Sequence, residues 1–227
     1  IIGSGIGWYS SAKVEMTSMP QLVSIFNGLG GGSAMLLALV EYLNINANGG
    51  LSNMEAVIIL FTLLVGGISF SGSILAYLKL DGKVKDKHVV LPGHQWINIV
   101  LFFVSIASLW YAWCCPSTMA IVIATVISLI YGFSFVAPIG GADMPVVISL
   151  LNSVTGISAA TAGFLYGNQI MILGGILVGA SGTILTVLMC NAMNRSILNV
   201  IIGGFGATAA GAPGASDDPD KSVQSIQ

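Results

Sequence analysis

Pro138-Ile-Gly-Gly-Ala-Asp-Met-Pro-Val-Val-Ile-Ser-Leu-Leu-Asn-Ser-Val-Thr-Gly156 joins two long apolar runs, 118–137 before it and 145–166 after it. Each run is close to the ~20 residues that a helix needs to cross a bilayer core. The join holds an acid, Asp143, in a nearly uncharged region, and Asn152 follows nine positions later inside the second run. Consecutive spans with a polar link between them make this a polytopic helical membrane protein.

Composition agrees. Of the residues, 55% are hydrophobic and 7% charged, against about 25% charged in ordinary soluble domains. Mean hydropathy is +0.92. A transmembrane barrel would show short alternating segments, and these runs are continuous. The net charge of −2 and the sparse lysines form no surface that could track phosphates, so no nucleic acid partner is expected. Cys114 and Cys115 are adjacent and Cys190 is distant. That spacing supports neither a metal site nor a disulfide framework, and the three thiols read as small apolar packing groups.

The fold expected is all-α: a transmembrane bundle of six full spans plus the end of a truncated one. Residues 1–12 read as the tail of a helix cut in mid-span, so the chain is expected to be a fragment. Pro20 suits the first helical turn and opens a span to about Tyr42. The Asn- and Gly-rich stretch Asn44–Asn53 is a turn. Later spans run from about Met54 to Leu78, Trp96 to Trp113, Thr118 to Ala137, Pro145 to Tyr166, and from the Gly167-Asn168 turn to about Met193. Trp96, Trp110 and Trp113 mark span ends, where indoles favour the headgroup level. Residues 1–202 form the membrane domain. The Gly, Ala, Ser and Pro-rich stretch 203–227 is a flexible linker towards a further domain.

Orientation follows from the basic residues. With Lys13 on the cytoplasmic side, six spans put 79–95, 139–144 and 194–227 on that side too. All seven basic residues, Lys13, Lys79, Lys83, Lys85, Lys87, Arg195 and Lys221, then fall inside. Asp143 and Arg195 share that face. His88 and His94 read as solvated residues of the basic loop, and Glu41 and Glu55 as outer span ends.

At ~1.5 Å per helical residue, Asn27 and Asn152 each lie ~10 Å in from the cytoplasmic ends of their spans, and Ser73 ~9 Å in. Three polar side chains at one depth on three helices predict a polar cluster. Two readings stand for the asparagines: hydrogen-bonding glue between helices, at about 1 kcal/mol each, or the lining of a hydrated path. For Ser73 and Thr155 glue is the first reading. An amide cannot titrate, so neither asparagine carries a proton by itself. Gly175, Gly179, Gly182 and Thr186 form one small-residue stripe, and Ser149, Asn152, Ser153 and Gly156 another. The two stripes are expected to face each other or a common cavity. Gly203-Gly-Phe-Gly206 follows a helix instead of joining a strand to one, so it is rejected as a nucleotide loop.

Ile139-Gly-Gly-Ala-Asp-Met-Pro-Val-Val-Ile-Ser-Leu-Leu-Asn-Ser153 closely resembles the membrane domain of the beta subunit of proton-translocating NAD(P) transhydrogenase. Lys13-Val-Glu-Met-Thr-Ser-Met-Pro-Gln-Leu-Val23, Phe70-Ser-Gly-Ser73, Val178-Gly-Ala-Ser-Gly-Thr-Ile-Leu185 and Met189-Cys-Asn-Ala-Met-Asn-Arg-Ser196 extend the likeness over nearly the whole chain, in order. The resemblance implies proton movement coupled to hydride transfer between NAD(H) and NADP(H), with the nucleotides bound by other domains. It implies no hydride-transfer, cofactor or metal site in this stretch. Asn27, Ser73 and Asn152 match proton-pathway residues, and Asp143 and Arg195 match the charged pair beneath the NADP(H) domain. Implied partners are the alpha subunit or its fused equivalent, the NADP(H)-binding domain, lipid, and a second copy in a dimer of the whole complex. The implied location is a bacterial inner membrane, alternatively the mitochondrial one, with the C-terminus on the cytoplasmic or matrix side. The sequence departs from the family at Asn27, where many members have His, and at Val154-Thr-Gly-Ile157, which replaces a more usual Tyr-Ser-Gly-Trp. A partner subunit is then expected to supply the titrating histidine. The alternative from another class, a secondary transporter with a midplane site, predicts internal repeats, and no convincing repeat relates the two halves.

Overall fold

The computed structural model describes residues 2–48, 52–84 and 94–193. They form seven α-helices in the order α1 (Ile2–Lys13), α2 (Met19–Asn48), α3 (Asn53–Leu80), α4 (His94–Cys114), α5 (Thr118–Val136), α6 (Met144–Leu165) and α7 (Gln169–Ala192). Short 3-10 turns at Met16–Ser18 and Gly141–Asp143 lead into α2 and α6. There is no strand among the described residues. Helices α2 to α7 are each long and apolar enough to cross a membrane, so the six spans read from the sequence are present. The first runs further than its sequence signal, since α2 continues through Asn44 to Asn48.

Local chemistry sets the helix ends. Glu55 reaches back to the backbone N–H of Ser52 at 3.2 Å, half of the reciprocal cap that starts helices. The Ser117 hydroxyl accepts from the Ala120 N–H at the start of α5. The Asn168 side-chain oxygen accepts from the N–H groups of Ile170 and Met171 at the start of α7. Gly167, at φ 60°, takes the left-handed conformation that closes α6 without a Cβ penalty, so α6 and α7 form a tight hairpin.

The hub is α3, which packs on α2, α5 and α6, while α4 leans on α5 and α7 on α6. On the α6–α7 seam the predicted stripes do meet. A Cβ at Gly156 would run into the Gly179 backbone, and one at Gly175 into Ala160. Ser149 and Ser153 donate across the seam to the carbonyls of Gly182 and Gly179, at 3.1 and 2.8 Å. Two apolar clusters fill the interior. The one at the α3 C-terminal end gathers Leu75, Val136, Met144, Val147, Leu151 and Cys190. The one at the α3 N-terminal end gathers Met35, Tyr42, Ile59, Leu63, Ala112 and Ile121. Between them lies a polar level. Large apolar side chains such as Phe103, Ile170, Leu177 and Leu188 point outward, the inverse of a soluble surface.

Two readings of the cysteines and histidines change. Cys114 and Cys115 are exposed at the end of α4, and only Cys190 packs inside. His94 is not a solvated loop residue: it begins α4 and is 6% exposed. His88, Arg195 and the stretch 203–227 lie outside the described residues.

Candidate functional site

The polar level is built where α2 comes close to α3. A Cβ at Gly28 would stand 3.1 Å from Ser73 Cβ, and one at Gly31 would stand 3.0 Å from the Gly66 carbonyl. Glycine at these positions lets Ser24 and Asn27, one turn apart on α2, reach the α3 backbone and hydroxyls. The Ser24 hydroxyl donates to the Ser73 carbonyl at 2.7 Å. Asn27 Nδ2 donates to Ser73 Oγ at 2.9 Å. Two of the three side chains placed at one depth by helical rise therefore touch.

Asn27 Oδ1 is buried and has no hydrogen-bond partner. Either orientation of the amide leaves one of its ends unpaired in this way, and an unmet buried polar group costs about 1–3 kcal/mol. The site asks for a donor from water or from another chain.

Asn152 stands at the same level but apart. It is half-buried, and its side chain makes no hydrogen bond among the described residues. On α6 its neighbours divide the work: Ser149 and Ser153 serve α7, whereas Leu151 and Thr155 face α3, with Ser69 bonded to the Thr155 hydroxyl and 3.3 Å from the Leu151 carbonyl. A Cβ at Gly30 would meet the Thr155 methyl at 3.3 Å, so α2 approaches α6 one turn above Asn152. At 100° per residue, Asn152 falls on the side of α6 between the α2 and α7 contacts, beside the small-residue stripe.

Asp143 is half-buried in the 3-10 turn before α6. Met144 packs with Cys190 of the last turn of α7, so the acid stands near the point where the chain leaves α7. Its expected partner, Arg195, lies outside the described residues.

Among the described residues, the most heavily bonded cation is Lys79, which the sequence reading set at the start of the basic loop. It belongs to the last turn of α3 and is 9% exposed. Its ammonium donates to the carbonyls of Val136, Ala137 and Ile139 at 3.3, 2.5 and 2.7 Å. These carbonyls close α5, where a helix leaves its last acceptors unmet and its dipole favours a cation. His94 Nε2 donates to the Ser134 carbonyl at 3.1 Å. That carbonyl would ordinarily take the N–H of residue 138, and Pro138 has none. The segment leading to Asp143 is thus held by side chains from α3 and α4. The only sequence signal for this was Pro138.

Residues 1–227 match the family described as NAD(P) transhydrogenase beta subunit. The chain belongs to that family. It is 42% identical over 98% of its length to NAD(P) transhydrogenase subunit beta of Rhodospirillum rubrum, and equally so to the same subunit of strain ATCC 11170. The chain spans 49% of those relatives' length. Six apolar spans in a member of this family make it an integral membrane protein. The described residues contain no strand leading into a glycine-rich turn and helix, the arrangement that holds a dinucleotide pyrophosphate.

Proposed function

We propose that this chain is the proton-translocating membrane part of a transhydrogenase, coupled to hydride transfer between NAD(H) and NADP(H) on domains outside it. The observation that carries the reading is the buried, unpartnered end of Asn27 beside the Ser73 hydroxyl. An amide oxygen can accept from a water or from the N–H of an imidazole, and a hydroxyl can both accept and donate. Asn27 and Ser73 hold and orient the group that carries the proton, and Asn152 completes the lining from α6. The carrier itself is a histidine on a helix of the alpha subunit or its fused equivalent, since imidazole titrates near neutrality.

Asp143 and Arg195 form the contact with the NADP(H)-binding domain, to which residues 203–227 lead. Occupancy of the polar level reaches that contact through α3 and α6, which run from Ser73 and Asn152 to the cytoplasmic face. The complex sits in a bacterial inner membrane, or the mitochondrial one, as a dimer, with the C-terminus on the cytoplasmic or matrix side. Proton uptake by vesicles bearing the full complex tests the reading. Asn152→Leu should abolish coupled uptake, and unaltered pumping would remove Asn152 from the path.

A further inference from the structure

The polar level is ~10 Å from the cytoplasmic face, which leaves most of the bundle between it and the outer surface. We propose that protons cross this outer part along a ladder of hydroxyls between α3 and α6, which opens at Glu41 and Tyr166. This rests on the proton-conducting reading above and supplies its missing half.

The rungs are matched in height. Counting ~1.5 Å per residue from the cytoplasmic ends, Ser69 of α3 and Thr155 of α6 both lie ~16 Å in, and Thr62 and Thr161 both ~26 Å in. Each pair is bonded directly, Ser69 to Thr155 and Thr62 to Thr161 at 2.8 Å. Ser158 lies midway between them on α6, its hydroxyl on the Thr155 carbonyl at 2.8 Å. Ser69, Ser158 and Thr62 are each 0% exposed. At the far end Tyr166 donates to Glu41 Oε2 at 3.3 Å, and both residues are accessible. The levels of Thr155, Ser158 and Thr161 stand ~4.5 Å apart along α6, a gap that one bridging water with two ~2.8 Å hydrogen bonds can span. The last step from Thr161 to Tyr166, ~7.5 Å in rise, takes two.

Their bonding separates these hydroxyls from simple glue. A helical Ser or Thr ordinarily donates to one carbonyl in its own preceding turn. Thr125 and Ser128 of α5 each do only that. Each paired rung has a choice. Thr62 reaches the Ile58 carbonyl at 2.7 Å as well as Thr161. Thr155 reaches the Leu151 carbonyl at 2.9 Å as well as Ser69. With one proton and two acceptors, a hydroxyl can turn between them. A relay needs that freedom: an oxygen takes a proton on its lone pair, releases its own to the next oxygen, then rotates back. One O–H bond forms and one breaks at every step, and no electron is transferred. The other hydroxyl group, between α6 and α7, stops at Ser153 and Thr183. Outward of it the groove is lined by Ile157, Ala160, Phe164 and Ile176, and the one hydroxyl there, Thr161, is the rung already bonded to Thr62.

The test replaces hydroxyls with methyls of the same shape in the full complex, reconstituted into vesicles. Thr62→Val with Thr161→Val should lower protons moved per hydride transferred tenfold or more, and Thr62→Ser with Thr161→Ser should restore it. A role in packing alone would be met by Val as well as by Ser. A role as hydrogen-bonding glue would lower assembly and hydride transfer along with pumping, whereas the ladder predicts a loss of protons per hydride with hydride transfer retained. Wild-type pumping in the Val pair would overturn the ladder. If that pair fails to assemble, Ser158→Ala removes a single oxygen, and pumping within twofold of wild type then overturns it equally. Asn152→Leu run beside these distinguishes the two readings. If it stops pumping while the Val pair does not, the ladder fails and the proton-conducting role stands. If neither changes pumping, both fail.

Discussion

Lys79→Met isolates what the buried ammonium does for the end of α5. Methionine keeps the length and apolar stem of lysine, so the packing against α5 survives and only the charged head is removed. Three carbonyls then lose this donor. Val136 keeps a second bond, from the Ile139 N–H at 3.1 Å, so the main loss falls on Ala137 and Ile139. Each buried carbonyl left without a donor costs about 1–3 kcal/mol. Sparing a lysine its desolvation returns part of this, since burying a charge costs several kcal/mol even when it is well solvated by dipoles. The net expectation is a destabilisation of about 2 kcal/mol. Denaturant-detergent titration of the purified complex, followed by tryptophan fluorescence, measures it. Trp110 and Trp113, in ring contact on α4, report on the helix that leans on α5. Lys79→Arg retains N–H donors and should recover at least half of the loss. The same lysine fixes the segment that carries Asp143, so Lys79→Met should also lower protons pumped per hydride more than it lowers hydride transfer itself. A Lys79→Met complex as stable and as tightly coupled as wild type would refute the reasoning, because the α5 carbonyls would then have been satisfied without the ammonium.

Three further outcomes follow from the same geometry. His94→Phe keeps a ring of similar size but leaves the Ser134 carbonyl without its donor, since Pro138 offers none, and should lower the unfolding midpoint by the equivalent of about 1–2 kcal/mol; no change would mean that this carbonyl finds another donor. Gly156→Ala places a methyl against the Gly179 backbone, so α6 and α7 must separate at a cost of about 1–3 kcal/mol, and crosslinking yield between cysteines placed across this seam should fall. Tyr166 has its pKa raised above 10.0, by burial first and then by the charge and hydrogen bond of Glu41. Its folded form therefore holds its proton more tightly than the unfolded chain. The stability it contributes is full below pH 10.0 and is lost as pH rises through the higher folded value. Alkaline absorbance titration should show one late phenol that is missing in Tyr166→Phe and shifted back towards 10.0 in Glu41→Gln.

The parts legible in the sequence are those that depend on helical rise and hydrophobic length alone. Six spans follow from run length, and the shared depth of Asn27 and Ser73 follows from counting residues inward from Pro20 and Lys79. Both hold in the structure because a buried helix keeps its rise whatever it packs against. Facing depends on rotation and on neighbours, and here the reading was partial. Gly156 and Gly179 met as the small-residue pattern required, yet Asn152, in the same pattern, turned aside from the seam. Lys79 and His94 were lost altogether. A lysine at the cytoplasmic end of a span obeys the charge-bias rule whether it reaches into water or folds back onto carbonyls, so counting charges cannot distinguish the two. Their partners are backbone oxygens of α5, which leave no mark in a sequence except where a proline removes the usual donor. The hydroxyl ladder escaped for a related reason. A lone Ser or Thr in a span is satisfied by its own helix, and only the three-dimensional pairing of Thr62 with Thr161, and of Ser69 with Thr155, reveals hydroxyls that have a second place to put their proton.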